Sequence, residues 1–168
     1  RDASNGTWPP QPSSRDGLVV AATFSDSRVF GVAVLRPGVY TDVIAGFSSR
    51  ERDRDWSWRW MGASGAWTVQ NITAAPVAAT LDVEVSSFHR ERQLSVWLDE
   101  SLAYTFIAGP MRQRYRIGPL FMRPGAHTLR FTPHEPPTVA DEVTHNRDRR
   151  PLSLAFGDWR WSVDGASP

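Results

Sequence analysis

The sequence predicts an all-β fold, a two-sheet antiparallel β-sandwich of jelly-roll type, and three observations predict it. About ten short apolar or alternating runs are separated by turn signals at the ~8 to 12 residue spacing of sandwiches and barrels. No stretch carries the 3.6-residue period of an amphipathic helix. Finally, the stretch from Gly46 to Gly62, GFSSRERDRDWSWRWMG, passes from a charged lead-in into Trp56, Ser57, Trp58, Arg59, Trp60 and Met61, which alternate at the period of a strand with two different faces. Three tryptophans on one side of a strand form too large a face for a lone hairpin, so a second sheet is required to cover it. A closed barrel is the alternative that this pattern leaves open.

Taken in order, Arg1 to Asp16 is rich in Pro, Ser, Asn and Gly without periodicity and reads as a flexible linker or arm, with residues 17–168 forming one sandwich domain. Leu18 to Phe24 and Arg28 to Leu35 flank Ser25-Asp26-Ser27 and predict a hairpin. Pro37-Gly38 turns the chain into a strand over Val39 to Phe47. After the tryptophan strand, Gly62 to Gly65 reads as a tight turn into another strand, Ala66 to Ile72. Ala78 to Phe88 alternates cleanly, Leu81, Val83 and Val85 against Asp82, Glu84 and Ser86. Gln93 to Leu98 and Leu102 to Ala108 form a hairpin about Asp99-Glu100-Ser101. Gln113 to Phe121 places Tyr115 and Ile117 inward and Arg114 and Arg116 outward, and His127 to Thr132 turns Leu129 and Phe131 to the core. Pro133 to Pro151 loses all periodicity, as a functional or mobile loop does. Leu152 to Val163 closes the chain as a strand. Among the tryptophans, Trp60, Trp97 and Trp161 read as core, with Trp60 the anchor. The charged loops Ser48 to Asp55 and Pro133 to Pro151 carry complementary charges and are expected to clamp together.

The composition excludes several classes of function. At 168 residues the chain supports one substantial core. Nineteen Lys+Arg against eighteen Asp+Glu give a net charge of +1, so no global field draws nucleic acid or an anionic membrane, and partner choice falls to local patches. Every one of those nineteen cations is arginine, which reads first as the mark of a GC-rich genome and only second as bidentate recognition of planar anions. With no cysteine, there is no disulfide framework, thiolate metal site or cysteine nucleophile. The longest apolar runs fall short of the ~20 residues that span a bilayer. No signal-peptide pattern is visible, so the sequence reads as a mature or excised soluble piece.

Motifs for catalysis are weak. His134-Glu135 starts like a zinc-protease signature, but Thr138 stands where the second histidine belongs and Pro136-Pro137 forbid the helix. Gly62 to Ala66 has its second glycine one position early for a nucleophile elbow. The histidines His89, His127, His134 and His145 are scattered. The pairs Asp53 with Asp55 and Asp141 with Glu142 lie in solvated runs that leave a carboxylate untuned for glycosidase work. Glu51, Asp53 and Asp55 are candidates to hold a structural calcium, which takes hard oxygen ligands from loops. The eight tryptophans are the strongest compositional signal. Trp56, Trp58, Trp67 and Trp159 exceed what one core absorbs, and an indole outside the core stacks on a sugar ring while guanidinium groups bond its hydroxyls. The candidate ligand residues are therefore Trp56, Trp58, Trp67 and Trp159, with Arg59 and Arg116.

Gly46-Phe47, Glu51, Arg59-Trp60-Met61-Gly62, Leu98-Asp99-Glu100-Ser101, Tyr115-Arg116-Ile117 with Pro119-Leu120, Pro124-Gly125, Leu129 with Phe131, and Asp148 to Phe156 (DRRPLSLAF) follow one another in an order with a known counterpart. The chain resembles, over roughly Val39 to Val163, the extracytoplasmic β-sandwich domain appended to multi-pass bacterial membrane glycosyltransferases of the dolichyl-phosphate-mannose-protein mannosyltransferase type. The resemblance implies a galactose-binding-like jelly roll on the outer side of the membrane, periplasmic or at the cell surface. It implies that the transferase chemistry lies in membrane segments of a parent protein, leaving a non-catalytic accessory module that presents or recognises glycan. A structural or protein-interaction module is the alternative, and a glycosidase a third.

Overall fold

The computed structural model describes residues 19–25, 29–35 and 38–163, the first two stretches by backbone pairing. The expected linker, residues 1–16, lies outside the described residues. β1 (Val19–Ser25) and β2 (Val29–Leu35) pair antiparallel, Val19 opposite Leu35, as the apolar runs predict.

The sandwich is organised around β5 (Ser57–Asn71), fifteen residues without a break. Its C-terminal half lies between β3 (Val39–Phe47) and β10 (Gly125–Pro133), so that Trp67 is opposite Ile44 on one side and Leu129 on the other. β10 continues to β7 (Arg92–Leu98) and β8 (Ser101–Ala108), completing the first layer. The N-terminal part of β5 pairs with the short β4 (Glu51–Arg52) and with β13 (Leu154–Val163), which leads to β6 (Val77–Ser87) and β9 (Gln113–Met122) in the second layer. One hydrogen-bonded path thus runs through both layers and β5 is shared between them. The free edges β8 and β9 approach through the rings of Phe106 and Tyr115, centroids 4.3 Å apart, without pairing as strands. The molecule is therefore an all-β sandwich that nearly closes.

The expected turn at Gly62 to Gly65 does not exist. A Cβ on Gly65 would lie 2.4 Å from the Phe47 ring and 2.8 Å from the Met61 sulfur, and one on Gly46 would lie 2.5 Å from the Ser64 carbonyl oxygen. These glycines let β3 and β5 approach where their register shifts, which is a strand's use for glycine as much as a turn's.

The two layers meet over an aromatic cluster. Phe131 of β10 packs on Phe156 of β13 at 4.9 Å and on Trp67 at 5.0 Å, with Phe47 edge-on to Phe156 at 5.2 Å. Met61, Val69, Leu81, Val83, Val85, Ile117, Leu129 and Leu154 fill the rest, all fully buried. Trp161 packs against this core and donates its indole N–H to Thr41 Oγ1 at 3.0 Å, closing β13 onto β3.

Two core expectations are corrected by the same alternation. On β5 the inward residues are Met61, Gly65, Trp67 and Val69, so Trp60 points outward, half-buried and edge-on to Phe88. On β7 Leu94 and Val96 are inward, and Trp97 is half-buried on the other face under the Arg130 guanidinium, 5.0 Å from its ring.

Between β10 and β13 the chain forms β11 (Thr138–Val139), a five-residue helix α1 (Ala140–Thr144) and β12 (Pro151–Leu152), with β11 and β12 paired. A helix this short leaves no periodic trace in the sequence. Arg150 joins this segment to the loop before β5: it bonds Asp148 and reaches Glu51 at 2.5 Å, so the expected contact between the two charged loops is made by one bridging arginine. Arg92 anchors the same segment from inside. Its guanidinium is fully buried and donates to Ser87 Oγ, the Phe88 and Ser153 carbonyls and Thr138 Oγ1, neutral acceptors throughout, while Nε has no partner among the described residues.

Candidate functional site

The outward face of the second layer carries the most unusual chemistry. Cross-strand partners share a face, so Trp60 stands on the same side as its partner Ala155 on β13 and as Ser86 on β6. Ala155 is nonetheless completely buried and Ser86 nearly so. Small residues on an outer sheet face are hidden only when something large lies beside or over them, and the row Trp56, Trp58 and Trp60 stands on that side of the sheet.

The rings of Trp56 and Trp58 stack with centroids 4.6 Å apart and planes 22° from parallel. Trp56 rests on Gly157, where an added Cβ would be 2.2 Å from its Nε1 and 3.1 Å from Glu84 Oε2. The register shift in β13 between Phe156 and Trp159 places Gly157 and Asp158 in a bulge, the device by which a sheet edge re-aims side chains. The indole nitrogens of Trp56 and Trp58 are buried without a hydrogen-bond partner among the described residues. Both residues remain half-exposed, so the two rings form an aromatic plate laid on the sheet.

Beside the plate runs a ladder of charge. Arg114 of β9 bonds Glu84 of β6 at 2.9 Å, and Arg116 bonds Asp82 at 3.3 Å, each pair directly opposite in register. Arg112, just before β9, lies 5.6 Å from the centre of the Trp56 ring and makes one long bond, 3.4 Å, to the Asp55 carbonyl. At the plate's other margin Arg50 donates to Ser57 Oγ at 2.7 Å and pairs with Asp158 at 3.5 Å.

Of the candidate ligand residues, Trp56, Trp58 and Arg116 share this face. Arg59 points the other way and donates to the Ser48 carbonyl at 3.0 Å, which fixes the loop carrying Arg50. Trp67 is corrected outright: at 1% exposure it is a core residue, on the inward side of β5 with Met61 and Val69. Trp159 is 38% exposed and packs against Trp67 at 4.8 Å, on the side of β13 facing the core.

The calcium candidates do not converge. Glu51 is taken by Arg150, Asp53 accepts the Arg54 backbone N–H, and Asp55 is exposed. No group of three or more His, Asp or Glu able to hold a metal ion occurs among the described residues.

Sequence reading missed the Ser95 and His134 pair, 2.8 Å between Oγ and Nε2. No periodic or motif signal links residues thirty-nine positions apart. Ser95 is nearly buried and also approaches Thr105 Oγ1 at 3.4 Å. The pair joins β7 to the start of the long segment, which Glu135 reinforces by accepting the Gln93 N–H.

No protein-family model matches the chain, and no curated protein matches it. Among solved structures it is similar to the GH26-CBM35 β-(1,4)-mannanase of Podospora anserina, at TM-score 0.48 and 13% identity, covering 79% of this chain and 29% of that one. A family 35 carbohydrate binding module from an environmental isolate matches at TM-score 0.48 and 14% identity, over 76% of this chain and 93% of the module. A carbohydrate-binding module CBM36, solved with calcium and xylotriose, matches at TM-score 0.40 and 9% identity, over 74% and 91%. The chain spans about three tenths of the mannanase. At such identities no ligand or activity transfers from these proteins to this one.

Proposed function

We propose that this domain is a non-catalytic carbohydrate-binding module whose site is the outer face of β5, β13, β6 and β9. The observation that carries the reading is the plate of Trp56 and Trp58 lying on Gly157 with paired arginines and carboxylates beside it. A sugar ring offers a C–H face to an indole and hydroxyls to fixed charged groups, and this surface supplies both within one face. Glu84 and Asp82 are each neutralised by an arginine, an arrangement suited to accepting and donating hydrogen bonds rather than to moving a proton. The resemblance in sequence places the module, in this proposal, on the extracytoplasmic side of a bacterial membrane glycosyltransferase, with residues 17–168 as its single domain.

The test is titration of a panel of mono- and oligosaccharides, followed by tryptophan fluorescence and calorimetry. Binding that Trp58→Ala abolishes and Trp97→Ala leaves intact is expected. No heat and no spectral change across the panel would remove the reading. A protein-interaction module is favoured by one other surface, where Leu102, 54% exposed, stands opposite Trp97 on the outer face of the first layer. Crosslinking in native membranes through a residue introduced at Leu102 tests that alternative.

A further inference from the structure

We infer that the glycan held on this face is acidic, its carboxylate or other anionic group being read by the arginine row of β9. The inference rests on the carbohydrate-binding reading and adds the ligand's charge.

Arg114 and Arg116 alternate along β9 and therefore point to one side, and Arg112, just before the strand, reaches that same side by lying over Trp56 of the aromatic plate. Arg160, on the same face of β13, is opposite Asp82 in register, so that carboxylate lies between two arginines. With the Arg50 and Asp158 pair at the margin, five guanidinium groups here face three carboxylates, on a chain whose overall charge is only +1.

The hydrogen-bond inventory points the same way. A guanidinium has five N–H donors in a planar fork. Arg114 uses one nitrogen on Glu84, Arg116 uses Nε on Asp82, and Arg112 makes only its long bond to a backbone carbonyl and pairs with no carboxylate among the described residues. The forks are thus pre-positioned by one anchor each and keep donors for a second acceptor. What satisfies parallel N–H donors best is a bidentate anion, a carboxylate above all.

Position decides in favour of a glycan over an isolated anion. Arg112 sits over Trp56, so an anion at its guanidinium borders the stacked indoles, and a ligand spanning both carries a charged group within one ring of an apolar C–H face. An acidic sugar has that layout. The all-arginine composition, unexplained by the fold, gains a use here.

Galacturonic acid oligomers in the free-acid form and fully methyl-esterified provide matched probes, together with glucuronoxylan and unsubstituted xylan, each titrated at low and moderate salt. The acidic partner of each matched pair is expected to bind roughly tenfold tighter, and added salt weakens only that advantage. Arg112→Gln should erase the preference while Trp58→Ala erases all binding, with thermal melts confirming that both variants fold. Equal affinity for acidic and neutral partners would overturn the inference and leave the carbohydrate reading standing. Failure of every carbohydrate would overturn both. Binding of phosphatidylglycerol vesicles with no binding of acidic oligosaccharides would also overturn it, in favour of a membrane surface.

Discussion

Trp56 lies so close against Gly157 that no side chain fits between them. A Cβ at position 157 would be 2.2 Å from the indole Nε1 and 3.0 Å from Cε2. The glycine therefore seats the plate on the sheet. Gly157→Ala is expected to lift Trp56 off β13 and unstack it from Trp58, at an overpacking cost of about 1 to 3 kcal/mol. Urea unfolding measures that cost, and near-ultraviolet circular dichroism reads the loss of the indole pair. An unchanged indole signal would show that the contact is dispensable.

The strand pattern was legible because burial alternates with period two wherever one face meets the core, as in Leu81, Val83 and Val85. Which face of the tryptophan strand is inside was not, because both carry large residues. Trp56, Trp58 and Trp60 outweigh Met61 in apolar area, yet Met61 is inward, and the decision is made twenty-five positions and more away by the small residues Ser86, Ala155 and Gly157 that admit the indoles on the outer face. The site was legible as residue types, Trp56, Trp58 and Arg116, and illegible as a group. Trp67 belonged by composition to the surplus and by register to the core. Arg92 escaped notice because a lone arginine at a strand's start reads as solvated, whereas its neutral acceptors come from three separate segments.

The register makes opposite demands of neighbouring residues. Met61→Ala removes a fully buried side chain beside Phe47 and Gly65 and should cost about 2 to 5 kcal/mol. Trp60→Ala removes a larger but half-exposed one and should cost less. Chemical denaturation of the two variants checks the order. A Trp60→Ala protein less stable than Met61→Ala would put the strand's faces the other way round.

Arg92 is a buried charge held by neutral oxygens. Burial, then the neighbouring Arg90, lower its pKa from the ordinary guanidinium value, with Glu135 opposing them. Arg92→Ala takes the donor from Ser87, Thr138 and two carbonyls in the interior, and each buried neutral group left unsatisfied costs about 1 to 3 kcal/mol. Thr138 and the paired strands β11 and β12 lose their inner anchor. Limited proteolysis of Arg92→Ala should cut first between Pro133 and Pro151. Cleavage spread evenly over the chain would show that Arg92 supports the whole domain instead of that segment.

Asp99 makes stability depend on pH at the end of the sandwich where the turn between β7 and β8 meets β10. Burial pushes its carboxyl up, but the His127 hydrogen bond, the Thr128 N–H and the charge of His127 outweigh burial and leave the pKa below the ordinary carboxylate value. His127 Nδ1 is 2.9 Å from Asp99 Oδ2, and Nε2 is 2.8 Å from the Arg123 carbonyl oxygen. A carboxyl depressed on folding contributes its stability in full above the unfolded value and loses it as pH falls through the folded one. The melting temperature of the wild type should therefore fall below the ordinary carboxylate range, and Asp99→Asn should start lower and fall less. Asp148, drawn down to about 2 by its bonds to Arg150, keeps that contact until more acid conditions. Parallel melting curves for the wild type and Asp99→Asn across that acid range would show that the Asp99 and His127 contact contributes nothing to the fold.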